Sequence, residues 1–357
     1  MSRWIDFYKG KKVLITGNTG FKGSWMCEIL HKAGAKVYGY ALKPDEQLSL
    51  YHIAELEHKI EFVEGDIRNL DLLLSTLHRI QPEIIIHMAA QPLVRESYES
   101  PVYTFDVNVM GTVNVLECIR KTDSVKSFVN VTTDKVYANK EWVWGYRENE
   151  ELNGFDPYSN SKSCSELVTS SYKRSFFHDG RVAITTARAG NVIGGGDFAK
   201  NRIIPDCIRA AEANTTIVVR NPYSMRPFQH VLEPVIAYLL IAKEQYENME
   251  YADSYNIGPR ESDCLMTGEL TSCFCRSWKK ITGKEISWIS QHDGGPHEAN
   301  ILRLDCTKFM QKFHWIPIWN VQNAVEKVVE WQDAYMRGKK MDVFMDGQIE
   351  QYLCSME

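Results

Sequence analysis

The sequence predicts an α/β fold, in which a doubly wound parallel sheet is followed by a smaller mixed α/β domain. The first half of the 357-residue chain alternates short apolar runs with amphipathic helical patterns. The apolar runs are rich in β-branched residues and nearly continuous, as in parallel strands that helices cover on both faces. After about residue 187 the alternation stops, and short helices mix with irregular segments.

The elements follow from these patterns in chain order. Strands are predicted where β-branched or aromatic residues run together, at 13–15, 36–41, 61–63, 84–86, 127–131 and 183–186. Helices are predicted at 21–33, which Gly34 ends, at 101–120, which Pro101 begins, at 158–175 and at 321–335. Right-handed crossovers between such strands produce a doubly wound sheet of the Rossmann type.

Composition restricts the partners and the compartment. The net charge of −5 and a pI near 6.1 argue against a nucleic-acid partner and against an anionic membrane surface. The apolar run 235–242 is too short to cross a bilayer, and the N-terminus lacks the apolar segment of a signal peptide. We therefore expect a cytoplasmic protein. Its nine cysteines contain no CxxC pair, so reduced thiols and no metal site are expected.

A glycine-rich loop lies between the first predicted strand and the first helix. It reads Gly17-Asn18-Thr19-Gly20-Phe21-Lys22-Gly23, a GxxGxxG pattern in the position where dinucleotide-binding proteins hold a pyrophosphate. Gly17 permits the tight turn, Gly20 permits close approach of the phosphates, and Gly23 lets the helix pack on the strand. Free amides at the helix start then bind the anion. The alternative is a plain strand-to-helix turn.

Other strand ends complete the predicted dinucleotide site. Asp66 and Ile67 follow the third strand and are interpreted as adenine contacts, with an Asx turn as the alternative. Ala89 and Ala90 follow the fourth strand, where small side chains let a cofactor pass closely. The second strand ends in Tyr40-Ala41-Leu42-Lys43 without the acidic residue that binds the ribose in NAD enzymes, so the choice between NAD and NADP stays open.

Tyr158 and Lys162 form a candidate acid/base pair. Positions i and i+4 share one face of a helix, and a nearby ammonium favours the ionised form of a phenol whose ordinary pKa is about 10. Thr133 ends the fifth strand, where doubly wound folds place their sites. The alternative is an ordinary exposed helical pair.

Together, the glycine loop, Thr133, Tyr158, Lys162 and Asn108 resemble the extended short-chain dehydrogenase/reductase family. Within that family the chain is similar to the nucleotide-sugar 4,6-dehydratases over nearly its whole length. The finer likeness is carried by the stretches GFKGSW (20–25), MAAQPLVR (88–95), WVWGYRENE (142–150), AGNVIGGGD (189–197), NPYSMRPFQHV (221–231), PHEA (296–299) and LDC (304–306).

This resemblance implies NAD as cofactor and a catalytic centre at the end of the fifth strand. Tyr158 would take the proton of the sugar 4-hydroxyl, Asp134 would act as acid at the leaving 6-hydroxyl, and Lys135 would act as base at carbon 5. Lys135 stands where dTDP- and GDP-sugar dehydratases have Glu, which marks the branch acting on CDP-sugars. A surface ion pair and a strand cap are the alternatives for Lys135 and Asp134, and which of the two takes the carbon 5 proton stays open.

The resemblance also supplies further contacts, domains and an assembly. Residues 1–187 are expected to form the NAD-binding Rossmann domain, with a segment at about 232–262 returning to it, and 188–357 an interleaved nucleotide-sugar-binding domain. A homodimer, or a tetramer, is expected to form through helices 101–120 and 158–175. The cofactor set would include Asn18, Thr19, Phe21, Gln91 and Asn108, and the CDP-sugar would contact Arg95, Asn191, Arg202, Arg226 and His297.

Two departures and two alternative functions remain. The related enzymes have His where Asn18 stands in the glycine loop, and Leu-Gly-Trp where this chain has Phe313-His314-Trp315. An epimerase or net dehydrogenase acting on a CDP-sugar is the alternative enzyme. A non-catalytic sensor of a nucleotide sugar or of NAD is the alternative from another class, and the complete Thr133, Tyr158 and Lys162 set argues against it.

Overall fold

A seven-stranded parallel sheet forms the centre of the structure, a computed structural model that describes residues 4–45, 48–292, 294 and 300–356. Its strand order is β11-β6-β5-β4-β1-β2-β3. Every pairing in it is parallel, which confirms the predicted doubly wound fold. The strands of the described residues are β1 (Lys12–Thr16), β2 (Lys36–Ala41), β3 (Glu61–Glu64), β4 (Ile84–His87), β5 (Ser127–Thr133), β6 (Ala183–Ala189), β7 (Val192–Ile193), β8 (Ile217–Val219), β9 (Met225–Pro227), β10 (Gln229–His230), β11 (Ser254–Ile257), β12 (Cys264–Met266) and β13 (Trp288–Ser290).

Helices cover both faces of this sheet, and further helices belong to the second part of the chain. In chain order they are α1 (Phe21–Lys32), α2 (Leu50–Ile53), α3 (Leu70–Ile80), α4 (Val94–Glu99), α5 (Pro101–Phe105), α6 (Gly111–Arg120), α7 (Pro157–Phe176), α8 (Ile203–Glu212), α9 (Leu232–Glu247), α10 (Thr267–Thr282), α11 (Thr307–Phe313), α12 (Val321–Met336) and α13 (Met341–Cys354). None of the helices in the described part of the chain combines the length and the apolarity that crossing a bilayer requires.

Three apolar cores hold these layers together. One lies between the sheet and helices α1, α9 and α13, and a second lies on the opposite face under α3, α6 and α7. The third joins α8, α10 and α12 to the small sheets of the second part, where β8 pairs with β13. Helix α9 packs on the main sheet and β11 pairs with β6, so residues 232–257 build part of it. The division of the chain at residue 187 stays a prediction.

Two features differ from the sequence expectation. The helix predicted at 101–120 contains a π-helical segment, Asp106–Met110, between α5 and α6. Strand β6 was expected to end at residue 186 but continues to Ala189, because the charged side chain of Arg188 is buried by a partner. Because a charged residue is unusual inside a buried strand, the sequence pattern predicted the end of β6 too early.

That partner is Glu166 of helix α7. Arg188 donates two parallel hydrogen bonds to its carboxylate, Nε to Oε1 at 3.0 Å and Nη2 to Oε2 at 2.8 Å. Thr132 of β5 also donates to Glu166, while the other guanidinium nitrogen of Arg188 bonds Tyr137 Oη at 2.8 Å and Glu148 O at 2.9 Å. Because every polar atom finds a partner, the buried pair ties α7 to the ends of β5 and β6.

We expect Arg188→Met to lower the free energy of unfolding by about 3–5 kcal/mol, because it leaves the Glu166 carboxylate buried without its cation. Urea denaturation followed by circular dichroism measures this loss. The double variant Arg188→Met/Glu166→Met removes both charges and should lose less than the sum of its single variants. Arg79→Met, which breaks a well-exposed ion pair with Glu61, should cost about 1 kcal/mol or less. Equal losses in Arg188→Met and Arg79→Met would contradict the assignment.

Candidate active site

Two adjoining clefts lie at the carboxyl ends of the strands of the main sheet. The larger cleft, about 1150 Å³, is lined by the ends of β5 and β6, the start of α7 and loops of the second part. The smaller cleft, about 440 Å³, is lined by the glycine loop, the end of β2 and the segments after β3 and β4. Six residues line both clefts and form their shared wall: Phe21, Lys22, Pro92, Leu93, Asp197 and Arg202.

The glycine loop fits a pyrophosphate. Gly17 has φ +76°, and a Cβ atom there would lie 2.7 Å from the backbone nitrogen of Ala89, so only glycine fits the turn. A Cβ on Gly23 would lie 2.2 Å from Gly17 O, whereas one on Gly20 would meet only Gly17 O at 3.4 Å. The surface over Gly20 is therefore open to the smaller cleft. No side chain caps α1, so the amides of its first turn are available to an anion.

Most of the predicted cofactor contacts line the smaller cleft. They are Gly17, Thr19, Gly20, Phe21, Gly23, Asp66, Ile67, Ala89 and Ala90. Asn18 does not: its side chain is buried against Gly39 of β2, and within the described residues neither of its amide atoms has a hydrogen-bond partner. The Asn18 side chain therefore packs between the glycine loop and β2 and does not form part of the cleft wall.

Gln91 and Asn108 lie behind the cleft walls and hold them. The backbone nitrogen of Gln91 donates to Asn108 Oδ1 at 2.9 Å, and Asn108 Nδ2 donates to Gln91 O at 3.1 Å. Asn108 Nδ2 also donates to Ser161 Oγ at 2.9 Å, which joins the segment after β4 to α7. Because Asn108 lies in the π-helical segment, the widened turn sets the direction of its amide.

Thr133, Asp134 and Lys135 form a compact polar group at the end of β5. Asp134 Oδ1 accepts hydrogen bonds from Thr133 Oγ1 at 2.9 Å and from Lys135 Nζ at 3.0 Å. Lys135 Nζ also donates to Asn191 Oδ1, at 3.4 Å. The carboxylate of Asp134 is fully buried, and its Oδ2 has no hydrogen-bond partner among the described residues. An acceptor without a partner at a cleft wall is suited to receive a ligand hydroxyl.

Tyr158 lies in the first turn of α7, which Asp156 caps by accepting the Ser159 amide at 2.9 Å. Burial raises the pKa of Tyr158 to about 12, a hydrogen bond with Thr133 opposes that rise, and the charge of Asp134 adds to it. The phenol is therefore protonated at neutral pH in this arrangement. Lys162 is not among the groups that shift the pKa of Tyr158, so its role in ionising the phenol stays a prediction.

Lys162 is buried one helical turn after Tyr158. Its ammonium donates to Val131 O at 2.9 Å, and among the described residues it makes no hydrogen bond to the Tyr158 hydroxyl. Burial lowers the pKa of Lys162 to about 8, and the charge of Glu166 opposes this change. Lys162 does not line either cleft, so in this arrangement it supports the end of β5.

Four of the predicted substrate contacts line the larger cleft, and three of them are cationic. They are Arg95, Asn191, Arg202 and Arg226. Arg202 precedes α8 and pairs with Asp197 at 3.0 Å, and Arg226 Nη1 donates to Met225 O at 2.8 Å. The fifth predicted contact, His297, lies outside the described residues.

Sequence reasoning missed three residues of the clefts. Lys22 lies in the shared wall, and its presence inside the glycine loop was the signal that could have found it. Asp45 lines the smaller cleft four residues beyond the end of β2, where the expected acidic residue was absent. Asp197 pairs with Arg202. In the described part of the chain, no three His, Cys, Asp or Glu side chains are arranged to hold a metal ion.

Comparison with solved structures bears on the fold. The UDP-glucose 4-epimerase of Thermotoga maritima superposes with a TM-score of 0.77 at 22% identity, covering 91% of this chain and 99% of the epimerase. The dTDP-glucose 4,6-dehydratase of Bacillus anthracis, solved with NAD, gives 0.76 at 20% identity, covering 93% and 100%. At these identities the likeness shows the fold alone.

Comparison by sequence resolves the family. The CDP-glucose 4,6-dehydratase of Salmonella typhimurium is 44% identical over 354 residues, which cover 98% of each chain. The family described as GDP-mannose 4,6 dehydratase matches residues 14–328. The predicted resemblance to nucleotide-sugar 4,6-dehydratases is thereby confirmed, and the chain belongs to the GDP-mannose 4,6-dehydratase family.

Proposed function

We propose that the protein converts CDP-glucose to CDP-4-keto-6-deoxyglucose, with NAD as the cofactor. The observation that carries this proposal is the Asp134–Lys135 ion pair, which lines the same cleft as Tyr158 beside a loop fitted to a pyrophosphate. The relative at 44% identity supports the CDP-sugar as substrate. The product would serve bacterial deoxysugar and O-antigen synthesis in the cytoplasm.

The smaller cleft would hold the dinucleotide. Gly17, Gly20 and the amides at the start of α1 would bind its pyrophosphate. Asp45 and Asp66 line this cleft, and Arg68 pairs with the carboxylate of Asp66 at 2.7 Å. When bound, NAD would supply a hydride acceptor for carbon 4 and a hydride donor for carbon 6, and its positive ring would favour ionisation of a nearby phenol.

Tyr158 would remove the proton of the 4-hydroxyl. It must first lose its own proton, since burial holds its pKa near 12. Its position in the first turn of α7 helps, because the positive end of the helix dipole stabilises an anion there. Thr133 shares a hydrogen bond with Tyr158 and would hold the 4-oxygen in line with it.

Asp134 and Lys135 would carry the dehydration. A single proton moving from the Lys135 ammonium to Asp134, along their 3.0 Å contact, turns the lysine into a base and the aspartate into an acid at once. The Lys135 amine then takes the proton on carbon 5, which the 4-ketone has acidified. Asp134 would donate its proton to the 6-hydroxyl as it leaves, which restores the carboxylate of the pair. The Lys135 ammonium would then return its proton to carbon 5 as the hydride is added at carbon 6.

The larger cleft would bind the nucleotide sugar through its diphosphate. Guanidinium groups form paired hydrogen bonds with phosphate oxygens, and Arg202, before α8, and Arg226, on β9, both line this cleft. Asn191 lies beside Lys135 and would place the sugar next to the ion pair. Because Arg202 also lines the shared wall, we expect it to reach the substrate phosphate close to the cofactor.

The test is incubation of the purified protein with NAD and a panel of CDP-, dTDP-, UDP- and GDP-sugars. A 4-keto product is detected by its absorbance in alkali, and loss of water by mass spectrometry. We expect dehydration of CDP-glucose without net NADH. A product of unchanged mass would indicate an epimerase instead, accumulating NADH would indicate a net dehydrogenase, and binding without turnover would indicate a sensor.

We also propose a homodimer formed by α5, α6 and α7. These helices pack side by side and expose apolar side chains away from the sheet, with Val102 83% and Leu167 54% exposed. Exposed apolar side chains gathered on neighbouring helices mark an interaction surface. Because α5, the π-helical segment and α6 run on as one helix beside α7, two copies of this surface would form a four-helix contact.

We expect Leu167→Asp to convert the dimer to a monomer, because it places a charge in the centre of the helical contact. Sedimentation velocity at micromolar concentration measures the change. Val343→Asp, at a position 63% exposed on α13, is the matched control and should leave the assembly unchanged. A monomeric wild-type protein would contradict the dimer proposal.

Tyr158→Phe keeps the ring and removes only the hydroxyl. We expect hydride transfer to fall by roughly 10²–10⁴-fold, the usual contribution of a general base, while NAD binding stays close to wild type. The absorbance of NADH in a single turnover measures hydride transfer, and a separate NAD titration measures binding. Tyr172→Phe on the same helix is the control. Rapid NADH formation by Tyr158→Phe would assign the 4-hydroxyl proton to another group.

Lys135→Met should stop the reaction after the first hydride transfer, because Tyr158 and Thr133 remain while the base at carbon 5 is lost. We expect a burst of bound NADH, little loss of water and no exchange of the carbon 5 hydrogen with deuterated solvent. Lys126→Met, at an exposed position before β5, is the control. Solvent exchange retained by Lys135→Met would move the role of base to Asp134.

A further inference from the structure

Lys22 is placed where a lysine is costly. It lies in the first turn of α1, where the positive end of the helix dipole repels a cation, and that turn contains no acidic residue to compensate. Its side chain is also partly buried, and desolvation of an ammonium costs free energy. A residue that opposes both local preferences points to a functional reason for its presence.

The side chain of Lys22 lies in the shared wall, so it borders both clefts. Its ammonium lies 5.8 Å from the centre of the Tyr238 ring. Within the described residues it has no hydrogen bond and no ion pair, and the Tyr238 hydroxyl has no partner either. The amine is therefore held by packing and remains available to a group that enters either cleft.

The charges that face Lys22 come from every element around it. Burial and the charges of the surrounding cations together lower the pKa of its ammonium to about 7, and the carboxylate of Asp134 opposes them. The facing groups are Lys162 of α7, Arg202 before α8, Lys135 and Asp134 after β5, and the Tyr238 ring of α9.

We propose that Lys22 senses the charge of the nicotinamide ring, binding a proton when the bound dinucleotide is reduced and releasing it when the dinucleotide is oxidised. This rests on the dinucleotide site of the proposed function. Lys22 borders both the larger cleft, which Tyr158 also lines, and the smaller cleft of the dinucleotide, so it lies between the two sites that hydride transfer would join. The ring of NAD carries a positive charge that NADH lacks, so NAD disfavours and NADH permits an adjacent ammonium.

The balance of charge and protons is simple. Oxidation of carbon 4 releases a hydride to the cofactor and the hydroxyl proton to Tyr158. The ring loses one positive charge, and the Lys22 amine gains one by binding a proton from solvent. Together with the proton that Tyr158 takes up, the proton on Lys22 leaves the site one unit more positive while the sugar is dehydrated. Return of the hydride to carbon 6 reverses the exchange, and Lys22 releases its proton.

Binding alone tests this, without substrate or turnover. NAD and NADH are titrated into the full-length protein by calorimetry across a range centred on the Lys22 pKa of about 7, in buffers of different ionisation enthalpy. We expect NADH binding to take up more protons than NAD binding. The ratio of NADH to NAD affinity should then fall as pH rises, by at most about tenfold per unit for one proton.

Two variants test whether Lys22 causes the pH dependence of the affinity ratio. In Lys22→Met the affinity ratio should be independent of pH, and NAD should bind more tightly at the acidic end than in wild type. In Lys22→Arg the ratio should also be independent of pH but keep its preference for NADH, because a guanidinium stays charged. Lys9→Met, at an exposed position, should behave as wild type.

Either of two results overturns the proposal: a wild-type affinity ratio that does not change with pH, or a wild-type pH dependence retained in Lys22→Met. Both leave the proposed dehydratase standing. Failure of the folded wild-type protein to bind either nucleotide would overturn the dinucleotide site, and the role of Lys22 with it.

Discussion

The buried ion pair between Arg188 and Glu166 fixes the geometry on which the rest of the site depends. It joins β6 to α7, and Thr132 of β5 adds a third element to the same carboxylate. Thr133 follows Thr132 directly, and Lys162 precedes Glu166 by one helical turn. The end of the strand and the start of the helix are therefore set by one contact, because interiors this tightly packed do not allow either element to slide alone.

A second constraint is the uneven distribution of unpaired polar groups. Arg188 and Glu166 have their hydrogen-bonding capacity filled, whereas in the described residues Asp134 Oδ2 and the Lys22 ammonium have no partner. Each unpaired group adjoins a cleft, so a ligand can supply what folding leaves unmet. At this site the paired charges of Arg188 and Glu166 lie behind the catalytic residues, and the carboxylate oxygen without a partner belongs to Asp134 among them.

How much the sequence could predict depended on the kind of information required. Periodicity and glycine spacing are local, and they predicted β1, β2 and α1 nearly to the residue. The end of β6 was missed because a charged side chain has to find a distant partner before it can be buried. The pKa of Tyr158 could not be predicted from helical spacing for a related reason, because it depends on burial, which only the folded chain shows. Asp45 was missed because it lies in the loop after β2, whereas the sequence pattern predicts an acidic residue only at the end of the strand.

The strand order carries a consequence for how the chain is made. Strand β6 borders β5 on one side and is completed on the other only by β11, whose Ser254 lies 68 residues beyond its partner Thr186. At ordinary rates of synthesis the ribosome needs roughly 3–14 s to cover that distance. During this interval β6 is an open sheet edge on the nascent chain. The charged side chain of Arg188 makes this edge a poor template for pairing with another molecule, so a residue that later fixes the site also protects the unfinished sheet.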